Sequence, residues 1–353
     1  MRIEQLTFTR FLAAISIVIF HYAKKSFLFN NKYVNFIFSN ADVCVSYFFI
    51  LSGFVMMVAY AKRTEISAKE YFINRFARIY PVYFLALLIM FLLQAHIQNL
   101  DVLGLVLNVF LIQAWVSGKI LSVNPPGWSL SVEFIFYAIF PFLFNQGFRK
   151  MKLKRIFLYI ILFWILSQII FQLLYLGYIE IDKFAITRDF IMYNPLLHIN
   201  EFLVGTLAGF LFTEKLKSRV GNYDFLILAF VVLIILALKF SMNLSFHNGL
   251  LAVFFIPLII LLSLNNGWIT KLFQKKAFVF LGEISFGIYI LQHPVFSVIS
   301  SYSVKKYLHM TDMTMVFFLR LILLIITASV SYLYIEKPIQ NLIKARRVKL
   351  LRV

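Results

Sequence analysis

The chain has a single cysteine, Cys44, among 353 residues. One thiol excludes an internal disulfide and a multi-cysteine metal site; at the start of an apolar stretch it reads as a small apolar residue. No internal repeat, low-complexity tract or soluble domain interrupts the sequence. Short segments of alternating polarity are missing, which excludes a transmembrane β-barrel. The first apolar stretch carries Arg10 and His21, and no small-residue cleavage site follows it. It is therefore not a cleavable signal peptide and is expected to be retained as a membrane span. The buried charges form no ladder of the voltage-sensor kind.

What is present is apolar surface. Hydrophobic residues make up 62% of the chain and aromatics 18%, with 42 Phe. A soluble domain is about half apolar, and the mean hydropathy here is +0.87. The class is an all-α polytopic membrane protein. Candidate spans are 6–23, 43–61, 79–97, 128–145, 156–176, 198–213, 224–240, 248–264, 279–300 and 315–335. Each approaches the roughly 20 residues a bilayer needs. Segment 102–117 is an eleventh, shorter apolar run.

Charge decides its role. The formal net charge of +19 would suggest nucleic acid in a soluble protein. Here it follows the positive-inside bias, and no nucleic-acid partner is expected. With ten spans and the N-terminus inside, 23 Lys and Arg fall in cytoplasmic segments and 8 in outer loops. The inner set includes Arg149, Lys150, Lys152, Lys154, Arg155 and the tail from Lys337 to Arg352. If 102–117 crossed with the N-terminus still inside, the bias would reverse to 11 inside and 20 outside; eleven spans with the N-terminus outside would give 20 inside against 11 outside, but would put Arg75 and Arg78 outside. About ten spans are thus expected, with both termini cytoplasmic and 102–117 re-entrant or interfacial. Residues 1–340 form the membrane domain and 341–353 a basic cytoplasmic tail. The longest outer loop, 177–197, has room for a short interfacial helix near Arg188–Leu197; its few distinctive residues are Asp182, Arg188, Asp189 and Tyr193.

Ionisable residues at membrane depth are functional candidates by default, because a charged group near the bilayer centre costs about 2.5–3.5 kcal/mol. Arg10 and His21 are eleven helical steps apart, so they share a face ~16 Å apart. Arg75 and Arg78 share a face at the cytoplasmic start of the third span. Guanidinium pairs suit phosphate; ordinary positive-inside flanking explains them equally. Glu133 follows the turn Asn124-Pro-Pro-Gly127 and Trp128, at an expected depth like that of His21. It can orient an imidazole and stabilise its protonated form, or serve as a hydrogen-bonded structural carboxylate. Ser52-Gly53 and Glu201 with Gly205 read as helix-packing positions. His293-Pro294 near the outer end of the ninth span reads as a satisfied polar group, and Glu336-Lys337-Pro338 as a helix stop at the inner surface.

These residues resemble the membrane acyltransferase-3 family, O-acyltransferases of bacterial surface polysaccharides. The resemblance rests on Arg10-x10-His21, Phe48-Phe-Ile-Leu-Ser52-Gly53-Phe54, Arg75-x-x-Arg78-Ile-Tyr-Pro81, Trp128-Ser-Leu-Ser-Val-Glu133, Glu201-Phe-Leu-Val-Gly205, Leu281-Gly-Glu-Ile-Ser285 through His293, and Ile335-Glu336-Lys337-Pro338. These motifs run in the family's order over nearly the whole chain. The family's opening Leu-Asp-Gly-Leu-Arg-Gly reads Leu6-Thr-Phe-Thr-Arg10-Phe here, without the Asp and both glycines, so packing there is expected to differ, and Gln292 stands where a Trp is frequent. The resemblance implies a multi-pass protein of the bacterial inner membrane. It would move an acyl group, acetyl or another short acyl, from cytoplasmic acyl-CoA to a hydroxyl of a cell-surface or lipid-linked carbohydrate. His21 is then the general base, Glu133 its partner, and Arg10, Arg75 and Arg78 the holders of the CoA phosphates. No metal is implied. The rival class is a transporter or flippase of lipid-linked sugars, which predicts inverted halves that the sequence does not display.

Overall fold

A computed structural model describes residues 3–179 and 187–350, with side chains as far as Ile343. Asp182 and the end of the expected basic tail lie outside the described residues. The helices are α1 (Gln5–Tyr22), α2 (Asn35–Phe38), α3 (Val43–Tyr60), α4 (Ala68–His96), α5 (Val102–Val109), α6 (Trp128–Phe142), α7 (Leu153–Tyr175), α8 (Arg188–Tyr193), α9 (Pro195–Leu211), α10 (Asp224–Lys239), α11 (Ala252–Leu264), α12 (Trp268–Phe273), α13 (Lys276–Val298), α14 (Ser301–Leu308), α15 (Met313–Ser331) and α16 (Lys337–Leu350). Among the described residues the only β pairing is one isolated bridge, Gly221 with Asn265.

Eight helical stretches are long and apolar enough to cross a bilayer: those beginning at Gln5, Val43, Ala68, Pro125, Leu153, Arg188, Lys276 and Met313. The expected seventh and eighth spans are shorter, 16 residues in α10 and 13 in α11. The expected start at 248 moves to Ala252 because the preceding turn needs left-handed backbone at Met242, Asn243 and Gly249. The third span is longer than expected. It begins at Ala68 instead of 79 and runs 29 residues, so Arg75 and Arg78 stand well inside a helix. Outward faces of α7 and α10 expose Leu158, Leu162, Leu166 and Leu228, Val232, Leu236. Such continuous apolar faces fit lipid and not water.

Segment 102–117 does not cross. The eight residues of α5 rise ~12 Å, held at the start by Asp101, whose Oδ1 accepts the Gly104 N–H at 2.9 Å. A left-handed turn at Leu111 then breaks the run. Asn108 faces inward and its carbonyl accepts the Tyr83 hydroxyl at 2.9 Å. Val102, Leu103, Val106 and Phe110 face out. The segment is interfacial or re-entrant, because its other face is already committed to α4.

Lipid supplies no hydrophobic drive between helices, so close packing must do so. Gly53 of α3 lies against the Phe202 carbonyl of α9, and Gly205 of α9 against the Ile50 carbonyl of α3. One turn on, a Cβ at Gly209 would come 2.6 Å from the Phe54 carbonyl oxygen. In the same way Gly282 lets α13 reach the Thr7 backbone of α1. This contact lies where the family's Asp and glycines are replaced, and the neighbouring Thr9 hydroxyl bonds the Tyr47 hydroxyl at 2.6 Å. Close approach of α1, α3, α9 and α13 leaves a polar space between α1, α3, α4, α6 and α13.

Candidate active site

That space is built from motif residues. A narrow cavity of about 100 Å³ is lined by Arg10, Ser52, Arg75, Arg78, Glu133 and Tyr137, and extends past Ser129 and Phe48 to Tyr289. A wider chamber of about 510 Å³ shares Arg10, Arg75 and Arg78 and opens among Glu283, Glu336, Lys337 and Gln340. The chamber lies at the end of the bundle that carries the basic loops. The three arginines therefore stand at a threshold between a wide mouth and a narrow shaft. Measured along α3, from Met56 to Val45, the shaft is ~16 Å long.

Each arginine has its own supports. The Arg75 guanidinium lies 5.3 Å from the Tyr71 ring centre and 5.9 Å from that of Tyr137. Tyr137 donates to Glu133 Oε2 at 2.5 Å, a charge-assisted bond one turn along α6. Glu133 and Glu336 are the carboxylates acting on Arg10 and Arg78. A helix of π type at Tyr332–Glu336 widens the end of α15 and turns Glu336 inward, where it is 3% exposed. Tyr332 on the same turn donates to Glu283 at 2.8 Å. Three guanidinium groups and Lys337 stand with three carboxylates, Glu133, Glu283 and Glu336, a small excess of positive charge that a low-dielectric site disfavours. Arg75 Nε and Glu336 Oε1 are buried without a hydrogen-bond partner among the described residues. The unpartnered Arg75 Nε, a donor, fits an anion bound at the threshold.

The structure places the other expected residues differently. His21 sits in the last turn of α1 with its ring exposed, and it lines neither cavity. Its neighbours are Phe20, with ring centres 4.9 Å apart, and the charged or titratable Lys24, Asp42 and His293. His293 Nδ1 is 3.4 Å from the Tyr22 hydroxyl, which fixes α13 and α1 at the same height. Glu133 is not beside His21. Tyr289, one turn below His293, donates to the Pro126 carbonyl, so α6 starts beneath the level of His21. Glu133 lies a further turn and a half down α6, more than two turns below the imidazole in all. Counting from the apparent start of the span misses that sunken N-terminus. Arg10, Arg75, Arg78 and Glu133 come together, while His21 stands ~16 Å from Arg10 along α1.

The family model described as acyltransferase domain matches residues 3–336. The chain belongs to this acyltransferase family. Among relatives of the family, the acyltransferase MdmB of Streptomyces mycarofaciens is 32% identical over 166 residues, covering 44% of this chain and 42% of that protein. A Staphylococcus aureus (strain COL) protein bearing an O-acetyltransferase name is 22% identical, covering 94% of this chain and 56% of its own. The exopolysaccharide production protein ExoZ of Rhizobium meliloti is 38% identical over 103 residues, 27% of this chain and 32% of that protein. The chain spans about half the length of the curated relatives it matches. No solved structure matches.

Against this family background, a histidine–carboxylate pair does exist, at a place the sequence did not mark. His198 Nδ1 lies 2.7 Å from Glu201 Oε2, and its Nε2 lies 2.9 Å from the Met192 carbonyl oxygen. Both residues are fully buried. With both ring nitrogens engaged, this imidazole has no free lone pair for a substrate proton. Beside the pair, Gln168, Asn200 and Asn248 form a buried polar network of their own. The network joins α7, α9 and the turn before α11. A spacing of three on one helix could have flagged His198–Glu201. Glu336 lies within a quoted motif and Tyr137 one helical turn past another, but nothing in their spacing announced their roles. Among the described residues, no cluster of three metal-ligating side chains occurs.

Proposed function

We propose that the chain is a membrane O-acyltransferase taking its acyl group from acyl-CoA, acetyl-CoA first among candidates, and passing it to a hydroxyl of a cell-surface or lipid-linked carbohydrate. The observation that carries this reading is the arginine threshold. A donor with several phosphates and a long thin arm matches a wide basic mouth leading into a ~16 Å shaft. In this reading the basic end is cytoplasmic, both termini lie there, and the membrane is the bacterial inner membrane. The phosphates sit on Arg10, Arg75 and Arg78, and the arm passes Ser52, Glu133 and Ser129 toward the far end.

His21 is the general base at that far end. A sugar hydroxyl gives its proton to the imidazole as its oxygen attacks the thioester carbon. The C–S bond breaks, the coenzyme leaves as thiolate, and the imidazolium returns the proton to it. Glu133 acts on the donor side, as counter-charge to the arginines and partner of Tyr137. The rings of Phe48 and Tyr289, 6.0 Å apart, stand at the end of the shaft below His293. They stand between the shaft and His21, so in this reading the thioester must pass these rings.

The test uses full-length protein in detergent or nanodiscs, with binding and turnover measured apart. His21→Ala is expected to bind acetyl-CoA normally and lose acyl transfer. Arg75→Ala together with Arg78→Ala is expected to lose acetyl-CoA binding. Transfer at the wild-type rate by His21→Ala overturns the base assignment; unchanged binding by the double variant overturns the donor site.

A further inference from the structure

Short loops on the translocated side of a membrane are normally poor in Lys and Arg. This chain has eight such residues in the loops assigned to the outer side, and five of them occur in just two segments. Lys24, Lys25 and Lys32 follow α1 directly, and Lys305 and Lys306 lie on α14, directly after α13. All five are exposed. These are the segments that leave His21 and His293.

The two segments form one surface. The Ser26 hydroxyl donates to Thr314 Oγ1 at 3.1 Å, and the Phe27 N–H to the same oxygen at 3.3 Å. Phe29 packs on Phe317 with ring centres 5.6 Å apart. Buried Arg320 ties the start of α14 to α15 by donating to Ser301 at 2.9 Å, and to the end of α13 through the Phe296 carbonyl at 2.5 Å. Its guanidinium also lies over the Phe296 and Tyr22 rings, at 4.1 Å and 5.9 Å. The lysine-bearing segments are therefore held against the ends of the two helices that carry His21 and His293.

Little negative charge answers the lysines there. Asp312 is spent capping α15, accepting the N–H groups of Thr314 and Met315 at 2.9 Å and 2.8 Å. Asp42 lies near His21 and 3.4 Å from His247 Nδ1. Three exposed aromatic rings, Tyr33, Tyr302 and Tyr307, stand among the lysines, each at least 70% exposed. Lys32 lies over the Tyr33 ring at 5.0 Å and Lys306 over the Tyr307 ring at 5.2 Å. Exposed rings beside exposed ammonium groups fit a sugar chain that carries its own negative charge, the outer ring faces lying on sugar and the lysines facing the anions.

We propose that this surface is the acceptor platform, and that the acceptor is an anionic glycan, one bearing carboxylate or phosphate groups along its chain. The inference rests on the acyltransferase reading and names the substrate class its outer end takes. Five exposed ammonium groups on two segments held to α15 concentrate such a polyanion at the His21 end, which holds a hydroxyl of the chain close to the base.

The test is glycan binding to the full chain in nanodiscs of zwitterionic lipid. The probes are oligogalacturonate, a glycerol-phosphate oligomer and, as neutral control, a maltooligosaccharide of equal length. At least one anionic probe is expected to bind at least tenfold more tightly than the control, with affinity falling as salt rises to about 0.5 M. Lys24→Ala, Lys25→Ala, Lys305→Ala and Lys306→Ala combined are expected to remove that preference. Equal affinity for the neutral probe, a salt-independent preference in the wild type, or an unchanged preference in the variant overturns the proposal. So does a preference that phosphatidylglycerol in the nanodisc fully replaces, which would make lipid headgroups the ligand. Acetyl-CoA titration on the same samples separates the two readings. Donor binding without glycan preference sinks this inference alone, and glycan preference without donor binding sinks the donor site alone.

Discussion

Replacing Glu133 by Gln separates two jobs that a carboxylate at this position could do. Beside His21 it would orient the imidazole. In the structure it faces Arg10, Arg75 and Arg78 and accepts the Tyr137 hydroxyl. Glutamine keeps an acceptor for Tyr137 and removes one negative charge. A phosphate on the far side of a guanidinium lies roughly 7 Å from the Glu133 carboxylate, two hydrogen-bond lengths plus the width of the group. At an effective dielectric near 20, one unit charge at that range is worth about 2 kcal/mol. Removing it should tighten acetyl-CoA binding by up to about thirtyfold. The free protein should lose stability, because the arginines keep fewer counter-charges; breaking a buried ion pair costs about 3–5 kcal/mol, an upper figure for this half-buried group. Saturating acetyl-CoA should restore much of the lost melting temperature. The assay is isothermal titration beside thermal unfolding, with and without donor, and the pH dependence of kcat. Weakened donor binding, or unchanged binding with an altered pH profile of kcat, would refute this reasoning and return Glu133 to the imidazole.

Three further predictions follow from the packing and the loops. Gly205→Val places a branched side chain against the Ile50 backbone, and should lower stability by roughly 1–3 kcal/mol or more, seen as a lower melting temperature with donor affinity little changed. Glu201→Gln disturbs the buried His198 pair and should destabilise the fold without shifting the pH profile of transfer, since both imidazole nitrogens are structural. Asp101 caps α5, and its carboxyl is held below the usual carboxylate range by the Lys119 hydrogen bond first and the Gly104 N–H second. A depressed carboxyl stabilises above its unfolded value of about 3.9 and loses that contribution as pH falls through the lower folded value. Amide exchange at Gly104 should therefore quicken below about pH 4 in the wild type. Asp101→Asn should show no such acid-dependent step.

Much of the fold was legible because each helix announces itself as an apolar run and because the basic loops count consistently toward one face. Segment 102–117 was legible for a related reason: letting it cross would have reversed the charge bias with the N-terminus inside, or put Arg75 and Arg78 outside with the N-terminus outside. Boundaries were less so. Residues 68–78 are too polar to read as membrane, yet they extend the helix of the third span and carry the arginines inward. The start of α11 was hidden because Gly249 and its neighbours spend apolar sequence on a turn. The glycines at 53 and 205 were readable as packing positions, since a small residue amid bulky apolar ones has little other use in lipid.

At the site, spacing put Arg75 and Arg78 on one helix face without separating phosphate binding from positive-inside flanking; the cavity walls bring Arg10 beside them. The depth of Glu133 did not emerge, because depth was counted from Trp128 and α6 begins below the outer surface. Tyr289 bonding to Pro126 and His293 beside Tyr22 set that offset between helices, and a single sequence carries no record of relative height. The surface lysines beyond His21 were counted but dissolved into a total; only the contacts of Ser26 and Ser301 with α15 tie their two segments to one helix.

The most direct measurement is an experimental structure of the full chain with a non-hydrolysable acetyl-CoA analogue. The expected result has phosphate oxygens within hydrogen-bonding distance of at least two of Arg10, Arg75 and Arg78, with the arm running past Glu133 toward Tyr289. A head group bound anywhere else, above all at the His21 end, would contradict it.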